Sequence, residues 1–321
     1  MFGQILSIVL PVFVLVGIGY VAARTGILSR SVGEALGEYV YVIAVPVLLF
    51  RTLATSSAHE ASPWALWLVY FVGAAVTWTA ATLIVRRGFG REARAGVIAG
   101  MSAAFANTAM VGIPLISAVF GEAGLVPLFL ILSVHMPVAT VATAILMERA
   151  AALDGVGAAR PPLEILRTVL ANLATNPIVI AIGCSVLWRL TGLPVEGLFA
   201  DVLGRIAATT LPVALLSLGM SMVLYGIRGN LAPGLILSLL KVGVMPALVY
   251  VLAAHVAGLP PLWVGVATLT AACPTGINAF IFANRYGTGH AMSANSITIT
   301  TAGAVLTTGL WVLFLGAVVP L

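Results

Sequence analysis

Two stretches decide the reading of this chain: AFANTAMVGIPLISAVFG at 104–121 and TAACPTGINAFIFANRYG at 270–287, in the same register after a shift of 166 residues. Each is apolar enough to lie in a membrane, yet each carries a knot of polar and helix-breaking residues at its middle. In the first the knot is Asn107, Thr108, Gly112 and Pro114; in the second it is Pro274, Thr275, Gly276 and Asn278. Proline removes an amide hydrogen and clashes with the preceding turn, glycine lets the chain unwind, and Asn or Thr can cap a half-helix that restarts. Both stretches are therefore predicted as interrupted helices. The restarted halves would present positive N-terminal ends, which favour an anion, with the Asn amides donating hydrogen bonds to it. Pro and Gly are also frequent in membrane helices, and Asn can simply join one helix to another. That both knots fall in corresponding spans, though their residues do not match column for column, weighs toward a paired site.

Outward from these stretches the whole chain is membrane-like. Of its 321 residues 61% are hydrophobic and only 8% charged, with mean hydropathy +1.14, against about 25% charge in a soluble domain. At ~20 apolar residues per crossing, the length accommodates about ten helical spans and no sizeable soluble domain, which argues against nucleotide-driven pumps and large receptors. The spans are expected near 4–23, 35–53, 64–85, 95–118, 124–147, 168–190, 204–225, 231–257, 262–284 and 294–319. Strands of a membrane barrel would alternate apolar with polar residues, whereas ILSIVLPVFVLVGIGYVAA at 5–23 is apolar all round. The fold class is thus an all-α integral membrane protein. The net charge of +5 is spread over short loops, so the expected partners are lipid and a small solute, not nucleic acid. Cys184 and Cys273 have no CxxC or Cys/His neighbourhood, which speaks against a disulfide framework or a metal site. The first apolar run reads as a retained span, and fourteen arginines to one lysine suggest a bacterial genome and the inner membrane.

The same shift of 166 places Pro11 on Pro177, Gly17 on Gly183, Thr25-Gly26 on Thr191-Gly192, Pro46-Val47 on Pro212-Val213 and Leu49 on Leu215; further along it sets Phe120-Gly121 opposite Tyr286-Gly287. This is a duplication of five spans, 1–147 and 168–321, without a net insertion through the fourth and ninth. Five is odd, so the copies are inverted, the arrangement of many secondary transporters. The joining stretch 148–167 reads as a cytoplasmic linker. Alternate loops hold eleven arginines against three (Arg51, Arg189 and Arg205), and by the positive-inside rule both termini lie outside. Cysteines placed at Ser57 and at Gly157 should then label differently from the exterior.

With VPVLLF at 45–50, Asn176-Pro177, LPVALLSLGM at 211–220, the Lys241 to Pro246 segment and PTGINAFIFANRYG at 274–287, the chain resembles the auxin efflux carrier family of plants and bacteria. The resemblance implies the fold of bile acid sodium symporter-like proteins, with helices four and nine crossing at the site. It also implies a scaffold of spans 1, 2, 6 and 7, often dimeric, against which spans 3–5 and 8–10 move as an elevator. It further implies that Asn107 and Asn278 contact a substrate carboxylate. The chain departs from plant members in lacking their long loop and in having no acidic residue between Glu38 and Arg51, so indole-3-acetate is a poor guess. Because no mid-span arginine is available as a second clamp, a dicarboxylate such as malonate rests on family analogy.

Lys241 is the one charge well inside a span and a candidate for anion attraction or coupling, or else a structural lysine at a helix break. His135, beside Pro137, could carry a proton or serve as a hydrogen-bonded core histidine. Span ten is rich in hydroxyls (Ser293, Ser296, Thr298, Thr300, Thr301, Thr307 and Thr308), which suits either a substrate path or helix packing. Spans four, nine and ten hold no Asp or Glu, so sodium coupling is unsupported. No cofactor is called for. Serine-hydrolase, HExxH and paired Asp-rich signatures are missing, which sets enzymes aside. The expected function is secondary transport of small organic anions, with a solute sensor or channel as the alternative.

Overall fold

The computed structural model describes residues 2–56, 62–156, 167, 170–171, 173–227, 229 and 231–318, and among them every regular element is helical. That is what lipid imposes, since a helix satisfies its own backbone. The runs are α1 (Phe2–Arg24), α2 (Arg30–Thr55), α3 (Pro63–Gly88), α4 (Ala93–Ala104), α5 (Thr108–Leu153), α6 (Pro177–Thr191), α7 (Gly197–Tyr225), α8 (Leu231–Val256), α9 (Pro261–Ala272), α10 (Asn278–Tyr286), α11 (His290–Ala302) and α12 (Ala304–Val318). Ser57, Gly157, Arg160, Arg228 and the linker residues 157–166 lie outside the described residues. The start of the expected linker is helix, because the good helix formers after 147 carry α5 on to Leu153.

Among the described residues α2, α3, α5, α7 and α8 are long and apolar enough to cross a membrane, and α11 with α12, bent by 59°, would together make a sixth. This is a multi-pass membrane protein. Large apolar side chains such as Leu187, Leu190 and Leu306 project outward, a surface that lipid accepts and water does not. The helical runs divide differently from the apolar segments. Segment 95–118 is cut at 105–107 into α4 and the start of α5, and 262–284 is cut at 273–277 into α9 and α10. Conversely, α5 continues past Gly121, whose φ of +64° turns the chain, into segment 124–147.

Recurring local features follow the sequence shift of 166 residues. Gly26 and Gly192, each after a threonine, follow α1 and α6 in the left-handed region at φ +78° and +68°, and Gly121 and Gly287 do the same at +64° and +67°. All four obey the shift of 166, but α4 and α9, each of 12 residues, correspond at 168. The register is therefore displaced by two residues across these helices and by four at the restarts, Thr108 and Asn278, because the second break is the longer; α10, the shorter restart, brings it back at Gly287.

Helices α1 and α2 pack on α7, and α2 also packs on α6; α3 packs on α4 and α8, α8 on α11 and α9, and α9 on α5, while α1 also touches α12 and α5. The α1–α7 crossing is a backbone contact: Gly19 lies on the Leu216 carbonyl and Gly219 on that of Val16, where any Cβ would collide. The first amides of α4 have no helical partner. Asp154 supplies one from the end of α5, accepting from the Ala93 and Arg94 amides at 2.7 and 3.0 Å and from Arg94 Nε at 3.1 Å. Arg94 also donates to Glu92, which accepts from the Thr288 hydroxyl between α10 and α11.

Burial pushes the Asp154 carboxyl up, but the two amides and the Arg94 guanidinium outweigh it and hold the group below the ordinary carboxylate range. A depressed pKa stabilises the fold above the unfolded value of 3.8 and loses that contribution as pH falls toward the folded value. Asp154→Ala should therefore cost about 1–2 kcal/mol at neutral pH. In melting curves the gap from wild type should narrow once the pH drops below 3.8; a gap independent of pH would assign the loss to packing.

Candidate functional site

The two breaks meet. Asn107 N donates to Pro274 O at 2.8 Å and Gly276 N donates to Phe105 O at 2.8 Å, so residues 105–107 and 274–276 form a single antiparallel bridge through Ala106 and Thr275. An interrupted helix in an apolar medium must find partners for the backbone groups it frees, and here each interruption supplies them to the other. Gly276 is required by the close approach, because a Cβ there would strike the Phe105 ring. Thr275 secures the joint from behind: its amide donates to Thr300 Oγ1 at 3.0 Å, its hydroxyl donates to Ser102 O at 2.9 Å, and Ser296 Oγ lies 2.9 Å from that hydroxyl.

On the open side of the joint is a cavity of ≈ 470 Å³, within the size range of small-molecule sites. Asn107, Thr108, Gly276 and Asn278 line it, as do Arg30, Glu34, Glu38 and Tyr41 of α2 and Ser217 and Ser221 of α7. Asn107 caps the π-helical start of α5, its Oδ1 accepting from Met110 N at 3.3 Å. Its Nδ2 is buried and has no protein partner. Asn278 opens α10 and among the described residues its Nδ2 meets only the soft acceptor Met136 Sδ, at 3.3 Å. Two amides with donors to spare thus stand at the first residues of two helices, where the partial charge is positive. Asn278, Tyr41 and Met136 also border a second cavity of ≈ 350 Å³, which Arg285 lines.

The other candidates lie behind the joint. Gly112 and Pro114 are buried in the restarted helix, Gly112 facing Cys273, and neither reaches the cavity. The wide π turn at Thr108–Gly112 directly precedes Pro114, so the change of pitch there accommodates the proline's missing amide within α5. Pro274 and Thr275 build the bridge and do not line the cavity. His135 is 3% exposed, stacked on Phe105 at 4.3 Å between ring centroids, with Nδ1 3.4 Å from Thr108 Oγ1. Lys241 is fully buried and away from the cavity. The hydroxyls of span ten that bond across elements hold Thr275 in place or, for Thr298, reach Gly226 O.

Sequence reasoning missed Arg30, Glu34 and Glu38, treating Arg30 only as a loop charge. The signal was present in their spacing of four residues, which sets them on one face of a helix. Arg30 is in no ion pair among the described residues. The cavity therefore holds one guanidinium outside any ion pair and two carboxylates, Glu34 and Glu38, beside the amide donors; the donors of Asn107, Asn278 and Arg30 are the groups that can hold an anion there.

The profile of a family described as membrane transport protein matches residues 4–312. A protein of Rhizobium meliloti provisionally named a malonate transporter is 27% identical over 340 residues, covering 99% of this chain and 98% of its own. Uncharacterised transporters of Methanothermobacter thermautotrophicus and Methanocaldococcus jannaschii are 23% and 24% identical, covering 94% and 95% of this chain and 96% and 97% of their own. A match over nearly the whole chain, to proteins of matching length named as transporters and not as enzymes, places it: this chain belongs to the membrane transport protein family, the auxin efflux carrier family.

Proposed function

We propose that this protein is a secondary transporter of small organic anions, carboxylates above all, that works by elevator-type alternating access. The observation that carries this reading is the buried, unpartnered Asn107 Nδ2 in a cavity between two helix N-termini. A carboxylate placed there receives amide hydrogen bonds from Asn107 and Asn278, and Arg30 offers a charge to a second carboxylate. The name of the Rhizobium relative accords with a malonate-like dianion.

In this reading ten spans form two inverted repeats, 1–147 and 168–321. Contacts between loops support it. Arg51 pairs with Glu122, joining loops 2–3 and 4–5, while Arg94–Asp154 and Thr288–Glu92 join loop 3–4 to loops 5–6 and 9–10. Each contact links loops that ten crossings put on one side. Helices α1, α2, α6 and α7 form the scaffold, through which two copies pair; α3–α5 and α8–α12 form the moving bundle, tied together by the Asp154 and Glu92 contacts. The cavity lies between these two groups, with α2 and α7 as the fixed wall and both breaks as the moving one. Sliding one against the other carries the site across. The protein resides in the bacterial inner membrane with both termini outside.

The test is counterflow in liposomes containing the purified protein, with labelled malonate outside and unlabelled malonate within. Transient accumulation of label is expected for a carrier. Arg30→Gln should reduce malonate uptake roughly three- to ten-fold, a change of ~0.7–1.4 kcal/mol, and reduce acetate uptake less. Flux that never overshoots would indicate a channel, and binding without flux a sensor.

A further inference from the structure

We infer that Lys241 is a tethered cation: its ammonium holds the carbonyl end of the broken α9 half-helix where a bound metal ion would otherwise be needed, so the joint forms without sodium or potassium. A helix end leaves its last four carbonyls without helical partners and concentrates negative partial charge there. At the end of α9, Leu269 O accepts from Cys273 Sγ at 3.4 Å, Thr270 O accepts from Cys273 N at 3.3 Å, and Ala271 O accepts from Lys241 Nζ. The remaining contact of Nζ is Met245 Sδ at 3.5 Å. Lys241 is fully buried, stands in the π-helical turn Leu240–Val244 of α8, and pairs with no carboxylate among the described residues.

The matching end of α4 is treated differently. There Met101 O accepts from Phe105 N at 2.9 Å and Ser102 O from the Thr275 hydroxyl at 2.9 Å, both neutral donors. Among the described residues only the second break receives a lysine side chain, and that side chain does not line the cavity. The charge therefore serves the carbonyls and not the solute. A cation bound by covalent attachment cannot be exchanged with solvent, which removes a binding step that a diffusible ion would impose. The inference concerns how the joint is held and stands apart from what the cavity binds.

The experiment uses no solute. Purified wild-type protein is melted in sodium, potassium and choline chloride at equal ionic strength, and the three midpoints should agree within about 1 °C. Lys241→Met, which keeps the length and loses the charge, should melt lower by about 4 °C or more in every salt, and Lys241→Arg should fall between the two. Lys241→Ala vacates the space; adding methylammonium or sodium should recover part of its loss, and adding more choline should not. A wild-type protein that melts higher in sodium than in choline would overturn the inference. So would a Met variant as stable as wild type, or an Ala variant that no small cation moves. If neither neutral variant folds, the wild-type salt series still decides.

Discussion

Asn107→Asp is expected to leave the fold intact and to abolish binding of small carboxylates. The aspartate keeps the oxygen that accepts from Met110 N, so the cap on α5 survives. It replaces the buried Nδ2 with a second oxygen, so a hydrogen-bond donor becomes a like charge facing the substrate. Asn107→Ala removes a bond to a charged group worth ~1.5–3 kcal/mol, and affinity should fall roughly ten- to a hundred-fold. It also loses the cap, at about 1 kcal/mol of stability. Asn278→Ala should weaken binding with less effect on stability, because Asn278 supplies no cap in this structure. Calorimetric titration with malonate, alongside melting curves, separates the two quantities. If the Asp and Ala variants bind malonate as wild type does, the crossover does not hold the carboxylate.

The second large effect is expected at a residue with no chemistry of its own. Gly276→Val puts a branched side chain where even a Cβ strikes the Phe105 ring and crowds the Ala106 carbonyl. Such overpacking costs about 1–3 kcal/mol. The larger consequence is that the Gly276 N to Phe105 O bond must lengthen, shifting Asn278 away from Asn107. A displacement of about 1 Å should lower flux by roughly a hundred-fold. Counterflow should show the loss, and adding Phe105→Ala should recover part of it, since the two substitutions share one contact and are not additive. Wild-type flux in Gly276→Val would mean that the bridge between the breaks can open without harm.

The sequence carried the membrane character, the helical class and both interruptions, because composition and the clustering of Pro, Gly and Asn act locally. It did not carry the meeting of the interruptions. Main-chain hydrogen bonds such as Asn107 N to Pro274 O leave no side-chain signature, and neither do the parts played by Pro274 and Thr275, which hold the joint. Gly112 and Pro114 looked like part of the first break because their propensities are those of a break, yet a π turn absorbs them into the helix. Arg30, Glu34 and Glu38 were hidden for another reason. Charges near a span's end are read as loop charges, whereas α2 begins at Arg30 and carries its first turns along the cavity.

The antiparallel bridge has a consequence for how this site can diversify. Its bonds are made by backbone atoms, so most replacements at Ala106 and Pro274 that leave the main chain in place leave the joint standing, while Gly276 tolerates almost none. The residues that line the cavity, Asn107, Thr108 and Asn278, do so from positions next to Ala106 and Thr275 or just beyond them. If the proposed site is the one that binds, selectivity can drift one side chain at a time without dismantling the bridge, and libraries meant to retune the cargo belong at these positions and along the α2 face that carries Arg30.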